Sequence, residues 1–351
     1  MRAPHTLKKV RRRVFFFFRS LPLIPAFAAP TGARARAHAP RPVPLTQAAL
    51  TMDDASPALA STPFPLTPAH HRAFAADGFV RLPAFFAPAD LAAGRAAVGA
   101  ALAAAPPAPP LEDDAAYAAA FTQVMNLWEA APAVAAFAFC PRLAGAAASL
   151  LDTPAVRVYH DQSLTKPPGA GPTAWHADGY YWPLAAPGGG PVKAVTAWIP
   201  LDEGGCPPER GPLEFAAGSH APPLAAAVAQ GIGTGSEAAL GAEIAARGCP
   251  IVGGGFAPGE ISLHSAWTTH RAPPNASAAP RRVFTVIFIA ADTVAAAPAH
   301  ANHIADYDRW LGGPACVAPG EGLGRCPKTP VVFSAGATAA ADAGADAAPP
   351  A

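Results

Sequence analysis

From Val156 onward the chain is built from short apolar runs separated by Gly and Pro. Residues 156–159, 194–199, 211–215, 260–264 and 283–289 each have strand length, and most are rich in β-branched or aromatic side chains. These runs follow one another without a helix after each, which predicts an antiparallel sheet folded as a closed or sandwiched jelly roll. The exception is residues 224–247, an Ala-rich stretch expected to be a helical insertion between strands. Ahead of the strands the pattern is helical. Thr67 precedes Pro68 as an N-cap precedes the first helical position, and Phe74 falls on the core side of that helix. Asp77 and Gly78 then make a turn into an alternating strand at 79–82, and residues 90–102 form a second amphipathic helix. A proline run at 106–110 ends it, and helices are expected over 117–129 and 133–151. The class predicted is mostly β with flanking helices.

The ends do not share this patterning. Residues 1–63 are rich in Ala, Pro and Arg without a sustained period, so they read as a targeting segment plus linker. The tail 335–351 lacks large apolar residues and is expected to be disordered. A single catalytic domain at 64–334 remains. No Asp or Glu occurs up to Thr51, while Arg2, Lys8, Lys9, Arg11, Arg12, Arg13 and Arg19 crowd the start. That is an organelle address, for a plastid or a mitochondrion, and a secretory address also fits. A cytoplasmic protein results instead if translation begins at Met52. Arg19 interrupts the apolar stretch, which is too short for an integral membrane span. With 51% hydrophobic residues the chain can bury a large core, and a net charge of +1 implies no nucleic-acid partner. Five scattered cysteines without a Cys-x-x-Cys pair signal neither structural zinc nor a redox motif. Cys316 and Cys326 could pair in an oxidising compartment; free thiols are expected inside a cell. The composition leaves the oligomeric state open.

The chemistry concentrates in Trp175-His176-Ala177-Asp178-Gly179. A His-x-Asp pair on a strand or its continuation projects both side chains from one face. A second imidazole, His270, would complete two His and one carboxylate on one face of an octahedron, with positions left open for a cosubstrate and dioxygen. Arg281 lies eleven positions beyond His270, at the start of a buried strand, where its fork suits a carboxylate. Arg282 competes for that role, but neighbouring strand residues face opposite ways. His160 and Asp161 should diverge for the same reason, so they are not a ligand pair. His264 suits a supporting or packing role, and His70, His71, His300 and His303 read as surface residues. Tyr180, Tyr181 and Trp182 could wall a substrate pocket or simply pack over its mouth.

Several segments together resemble the phytanoyl-CoA dioxygenase family. They are residues 66–86, Tyr159-His160-Asp161-Gln162, Lys166-Pro167-Pro168, the metal motif through Pro183, Trp198-Ile199-Pro200-Leu201-Asp202, Gly211 to Phe215, and His270 to Ser277. The resemblance implies a double-stranded β-helix (jelly roll, cupin-like) and an Fe(II)- and 2-oxoglutarate-dependent dioxygenase, a hydroxylase acting on a small-molecule or lipid-like substrate. Succinate and CO2 would be formed, and ascorbate could stimulate the reaction. It implies His176, Asp178 and His270 as iron ligands, Arg281 on the distal carboxylate of 2-oxoglutarate, and Lys166 and Trp198 near cosubstrate or substrate. Asn275 and Ser277 would hold the loop after His270. Glu260, Arg210 and Ala272 depart from frequent family residues without removing a metal ligand. Asp178 favours hydroxylation over halogenation, because halogenases of this fold carry a small residue there. The alternative class is a metal-binding jelly roll without oxygenase activity.

Overall fold

The structure is a computed structural model that describes residues 60–105 and 120–335. The expected targeting segment, the proline run and the tail lie, apart from their edges, outside the described residues. Helix α1 (Pro68–Asp77) starts as its sequence predicts: Thr67 caps it, and the His70 ring returns a bond to the Thr67 backbone. Gly78 ends it in the left-handed region, and β1 (Phe79–Leu82) follows directly. Helix α2 is Pro88–Ala104. The predicted helix over 117–129 is not found among the described residues: 122–125 form strand β2 (Thr122–Met125), followed by a short 3-10 turn at Leu127–Glu129. Thr122, Val124 and Met125 are tolerant of extended backbone, and the open edge of the next strand offers them a complete ladder of partners.

Residues 133–151 give two helices, α3 (Pro132–Ala138) and α4 (Pro141–Leu150). The run Pro132–Leu150 is long and apolar enough by composition to cross a membrane. Here Pro141 breaks it, because proline cannot donate into the helix ladder. Val134, Phe137, Leu143 and Ala147 of the two helices are buried in the main core.

The strands are β3 (Ala155–Lys166), β4 (Thr173–His176), β5 (Leu184–Ala185), β6 (Ala194–Pro200), β7 (Glu214–Ala216), β8 (Ile251–Val252), β9 (Ile261–Ser265), β10 (His270–Ala272), β11 (Arg281–Ala290), β12 (Val294–Ala295) and β13 (Val331–Ser334). The major sheet runs β1-β9-β6-β11-β3-β13, with β2 also on β3, and the minor sheet runs β4-β10-β7-β8. All pairings are antiparallel. The helical insertion proves to be two pieces, α5 (Ala225–Ala229) and α6 (Thr234–Arg247). A further helix, α7 (Ala301–Trp310), stands where only surface histidines were expected.

Period-2 alternation divides the major sheet into two faces. Phe284, Val286 and Phe288 of β11, with Val195, Ala197 and Ile199 of β6, pack against the helices; Phe137 sits 5.9 Å from Phe284, ring to ring. The opposite face, carrying Arg281, Thr285, Thr196 and Trp198, looks into a cavity. In β3 a bulge changes the phase. Ile287 pairs with His160 but Phe288 with Val158, so Tyr159 is the extra residue. Val156 and Val158 therefore belong to the helix side, whereas His160, Gln162 and Leu164 line the cavity. All five cysteines are free thiols, and Cys316 donates to the Arg325 carbonyl.

Candidate metal centre and its cavity

His176 ends β4 and His270 begins β10, and the two are direct partners in that antiparallel pair. Their rings lie 4.2 Å apart. Asp178 opens the 3-10 turn after β4, held in place by Gly179, whose N–H donates to the Ala266 carbonyl at 2.8 Å. A Cβ on Gly179 would press into the Trp267 ring, so the turn needs glycine for close approach. The result is a cluster in which one ligand atom from each of His176, Asp178 and His270 lies within 4.8 Å of the others.

The hydrogen bonds decide which atoms are presented. Nδ1 of His176 lies 2.9 Å from the Ala174 carbonyl and Nδ1 of His270 lies 2.9 Å from the Thr268 carbonyl. A carbonyl only accepts, so both rings are protonated at Nδ1 and offer a bare Nε2. Burial pushes both imidazoles down to about 4, which keeps them neutral. Asp178 uses Oδ2 to accept from Thr196 Oγ1 at 2.8 Å, with His264 Nε2 at 3.3 Å. Its Oδ1 is left 3.7 Å from His176 Nε2 and 3.6 Å from His270 Nε2. Burial opposes ionisation of Asp178, but His270, His264 and His176 outweigh it and hold the carboxyl well below its usual range. Two neutral nitrogens and one carboxylate oxygen thus converge from one side on a common point.

Arg281 reaches the same cavity from β11 and is 3% exposed. One guanidinium N–H donates to the Gly211 carbonyl, while its Nε is buried with no partner. Gly211 has φ +68°, and a Cβ there would collide with the Pro273 carbonyl. Among the described residues Arg281 has no carboxylate partner, whereas Arg282 turns outward and pairs with Asp202 at 3.0 Å. A buried, incompletely bonded guanidinium carries a cost on the order of 1–3 kcal/mol, which an anion in the cavity would remove.

The other expected residues are distributed differently. Trp198 lines the cavity, its ring 5.7 Å from the Arg281 guanidinium carbon. Lys166 does not line it. Fully buried beside Arg281, its ammonium donates to the carbonyls of Gly171 at 2.7 Å and Pro273 at 3.1 Å. Burial, with Arg281 next to it, pushes the lysine down to about 7. The ammonium must find acceptors where water cannot follow, and these two carbonyls are the ones in reach, so Lys166 ties the β3–β4 turn to the loop after His270. Asn275 reinforces that loop through the carbonyls of Lys166 and Ala279, and Ser277 donates to Asn275. Tyr181 and Trp182 line the cavity, but Tyr180 stacks on His300 at 4.4 Å. His300 and His303 are therefore not simple surface residues: His303 Nε2 also meets the Tyr180 carbonyl at 2.8 Å.

The cavity holds about 400 Å³. Its walls include side chains to which the sequence assigned no role in the site: Gln123 from β2, Gln162 from β3, and Asn302, Asp306 and Arg309 from α7. The spacing of 302, 306 and 309 is that of one helix face, a signal the sequence does carry.

No curated protein sequence matches the chain significantly. Among solved structures, the fold is similar to the non-haem α-ketoglutarate-dependent carbocyclase SnoK from nogalamycin biosynthesis, with TM-score 0.60, 24% identity, and coverage of 78% of this chain and 100% of that one. The epimerase SnoN in complex with Fe3+, α-ketoglutarate and nogalamycin RO gives 0.61, 22%, 75% and 97%. Iron-bound EctD from S. alaskensis gives 0.52, 23%, 70% and 85%. The sequence itself matches the model of the family described as phytanoyl-CoA dioxygenase (PhyH) over residues 74–283, which takes in His176, Asp178, His270 and Arg281. The chain belongs to the phytanoyl-CoA dioxygenase family of iron- and 2-oxoglutarate-dependent oxygenases.

Proposed function

We propose that the protein is an Fe(II)- and 2-oxoglutarate-dependent dioxygenase that hydroxylates a small molecule. The observation that carries this reading is the meeting, in one cavity, of the His176–Asp178–His270 cluster and the guanidinium of Arg281, which has no carboxylate partner among the described residues. The donor set fits the group: two imidazole nitrogens and one carboxylate oxygen on one side suit Fe(II) and leave the cavity side open. Bound iron with 2-oxoglutarate supplies oxidation of a C–H bond by dioxygen, with succinate and CO2 as coproducts.

The chain's own residues bind and orient. His176 and His270 present Nε2, Asp178 presents Oδ1, and Thr196 with His264 keeps Oδ2 occupied. Arg281 would take the distal carboxylate of the keto acid, satisfying the N–H that the protein leaves without a partner. Trp198, Leu213 and Ile287 give that region apolar walls that exclude water. Asp178 occupies the position whose loss would open a site for chloride, which favours hydroxylation over halogenation.

Purified full-length protein loaded anaerobically with Fe(II) is expected to bind 2-oxoglutarate in a calorimetric titration. With ascorbate and a fractionated metabolite extract it should release succinate and yield a product sixteen mass units heavier, the mass of one oxygen atom. Absence of both keto-acid binding and succinate would reduce the protein to a metal-binding jelly roll. A chloride-dependent product would instead identify a halogenase.

A further inference from the structure

Helix α7 lays one face along the cavity, with Asn302, Ala305, Asp306 and Arg309 among the lining residues. Its opposite side is anchored: Tyr307 donates to the Val317 carbonyl, Tyr307 and Trp310 are buried, and His303 meets the Tyr180 carbonyl. The helix thus forms a fixed wall. Asp306 accepts from Tyr159 Oη at 3.2 Å through Oδ2 and from Trp310 Nε1 at 3.2 Å through Oδ1. Each carboxylate oxygen keeps further acceptor capacity, and among the described residues Asp306 is in no ion pair.

Arg309 stands three positions on, its guanidinium carbon 5.3 Å from the Trp310 ring centre, also without an ion pair among the described residues. Residues at i and i+3 on a helix lie roughly 5–6 Å apart at Cβ. One carboxyl and one guanidinium, neither in an ion pair among the described residues, thus line the cavity from one helix face, beside the apolar surfaces of Ala305, Ile232 and Trp182. A carboxyl and a guanidinium on one helix face suit a ligand that carries both an ammonium and a carboxylate, the ammonium favouring the ionised form of Asp306. Size points the same way: about 400 Å³ lies at the small end of ligand pockets, and the keto acid takes part of it.

Resting on the function proposed above, we infer that the substrate is a compact zwitterion of amino-acid type, its ammonium received by Asp306 and its carboxylate by Arg309. The aromatic rings of Trp182 and Tyr181 would flank the ammonium.

The test uses four probes sharing one carbon chain: L-norleucine, hexylamine, hexanoate and hexanol. Binding is measured by saturation-transfer NMR on the full chain, with and without metal. Norleucine is expected to bind about tenfold more tightly than any other probe. D306N, which keeps the side chain's shape and one acceptor oxygen, should weaken norleucine and hexylamine and leave hexanoate unchanged. R309Q, at an exposed position, should weaken norleucine and hexanoate and leave hexylamine unchanged. The inference is overturned if norleucine binds no better than hexanol, or if both variants bind it as the wild type does. Calorimetry of 2-oxoglutarate on the metal-loaded protein separates the two proposals. Keto-acid binding without norleucine binding removes the zwitterion and leaves the oxygenase; the converse removes the oxygenase and leaves the zwitterion site.

Discussion

Asp178 has two oxygens in different company, and that difference sets how a metal would be held. Thr196 and His264 occupy Oδ2, so only Oδ1 points toward the histidines. Replacing Thr196 by Val removes the shorter of the two bonds at nearly constant volume. Metal affinity, read by competition titration with a chromophoric chelator, should fall roughly 10–100-fold while the folded structure persists. Asp306 gives a second prediction at this scale. Burial raises its carboxyl to about 7, against the opposing effects of the Tyr159 and Trp310 hydrogen bonds and of Arg309. Between its ordinary range near 4 and about 7, the folded chain retains a proton that the unfolded chain has lost. Folding then binds a proton, so stability falls as pH rises through that window. After discounting for solvent in the cavity, the loss is on the order of 1–2 kcal/mol. The denaturant midpoint of D306N should lack this slope; an identical slope in both proteins would refute the assignment.

Among the elements, the insertion does more than decorate the sheet. Glu237 of α6 accepts from the Trp175 backbone N–H at 2.8 Å and from Arg271 at 2.9 Å, and Arg271 also binds Glu214 at 2.8 Å. Trp175 and Arg271 are the chain neighbours of His176 and His270, so one carboxylate ties together the two strands that carry the imidazoles. The group is partly exposed, and the individual pairs are weak. Glu237→Ala should therefore weaken metal binding by less than the loss expected at Thr196, and E237Q should recover part of it through its remaining acceptor. The same scale shows what a linear reading can see. The strands at 194–199 and 283–289 were legible because buried sheet residues leave continuous apolar runs, and His-x-Asp was legible because its ligands are neighbours. β2 was read as helix because its identity comes from the edge of β3, a partner far away in sequence. The Tyr159 bulge, which turns His160 and Gln162 toward the cavity, leaves no mark in composition at all. Lys166 was expected near cosubstrate or substrate from the resemblance alone; its pairing with Arg281 and its two carbonyl acceptors depend on a distant strand and on separate loops, which the linear sequence does not display.

For the whole molecule, the buried guanidinium of Arg281, without a carboxylate partner among the described residues, couples the site to global stability. Its strand, β11, lies centrally in the major sheet between β6 and β3, and the other face of that strand carries the main core. A ligand that binds only the folded state stabilises it by about 2.7 kcal/mol at one hundred times its Kd. For a domain of this size that is a rise in Tm of roughly 5–10 °C. Wild-type protein should show two successive increments, one on adding Co(II) under nitrogen and a second on adding 2-oxoglutarate. Asp178→Ala removes a metal ligand and should abolish both. Arg281→Met should behave differently: the metal increment stays, the keto-acid increment disappears, and the ligand-free Tm is unchanged or higher, because a buried cation without an anion has been replaced by an apolar side chain. A ligand-free Arg281→Met protein markedly less stable than wild type would mean that Arg281 holds the sheet together through Gly211, and that its place in the cavity is incidental. Equal or greater stability, with the keto-acid response gone, identifies a residue kept at the expense of the fold for the ligand it receives.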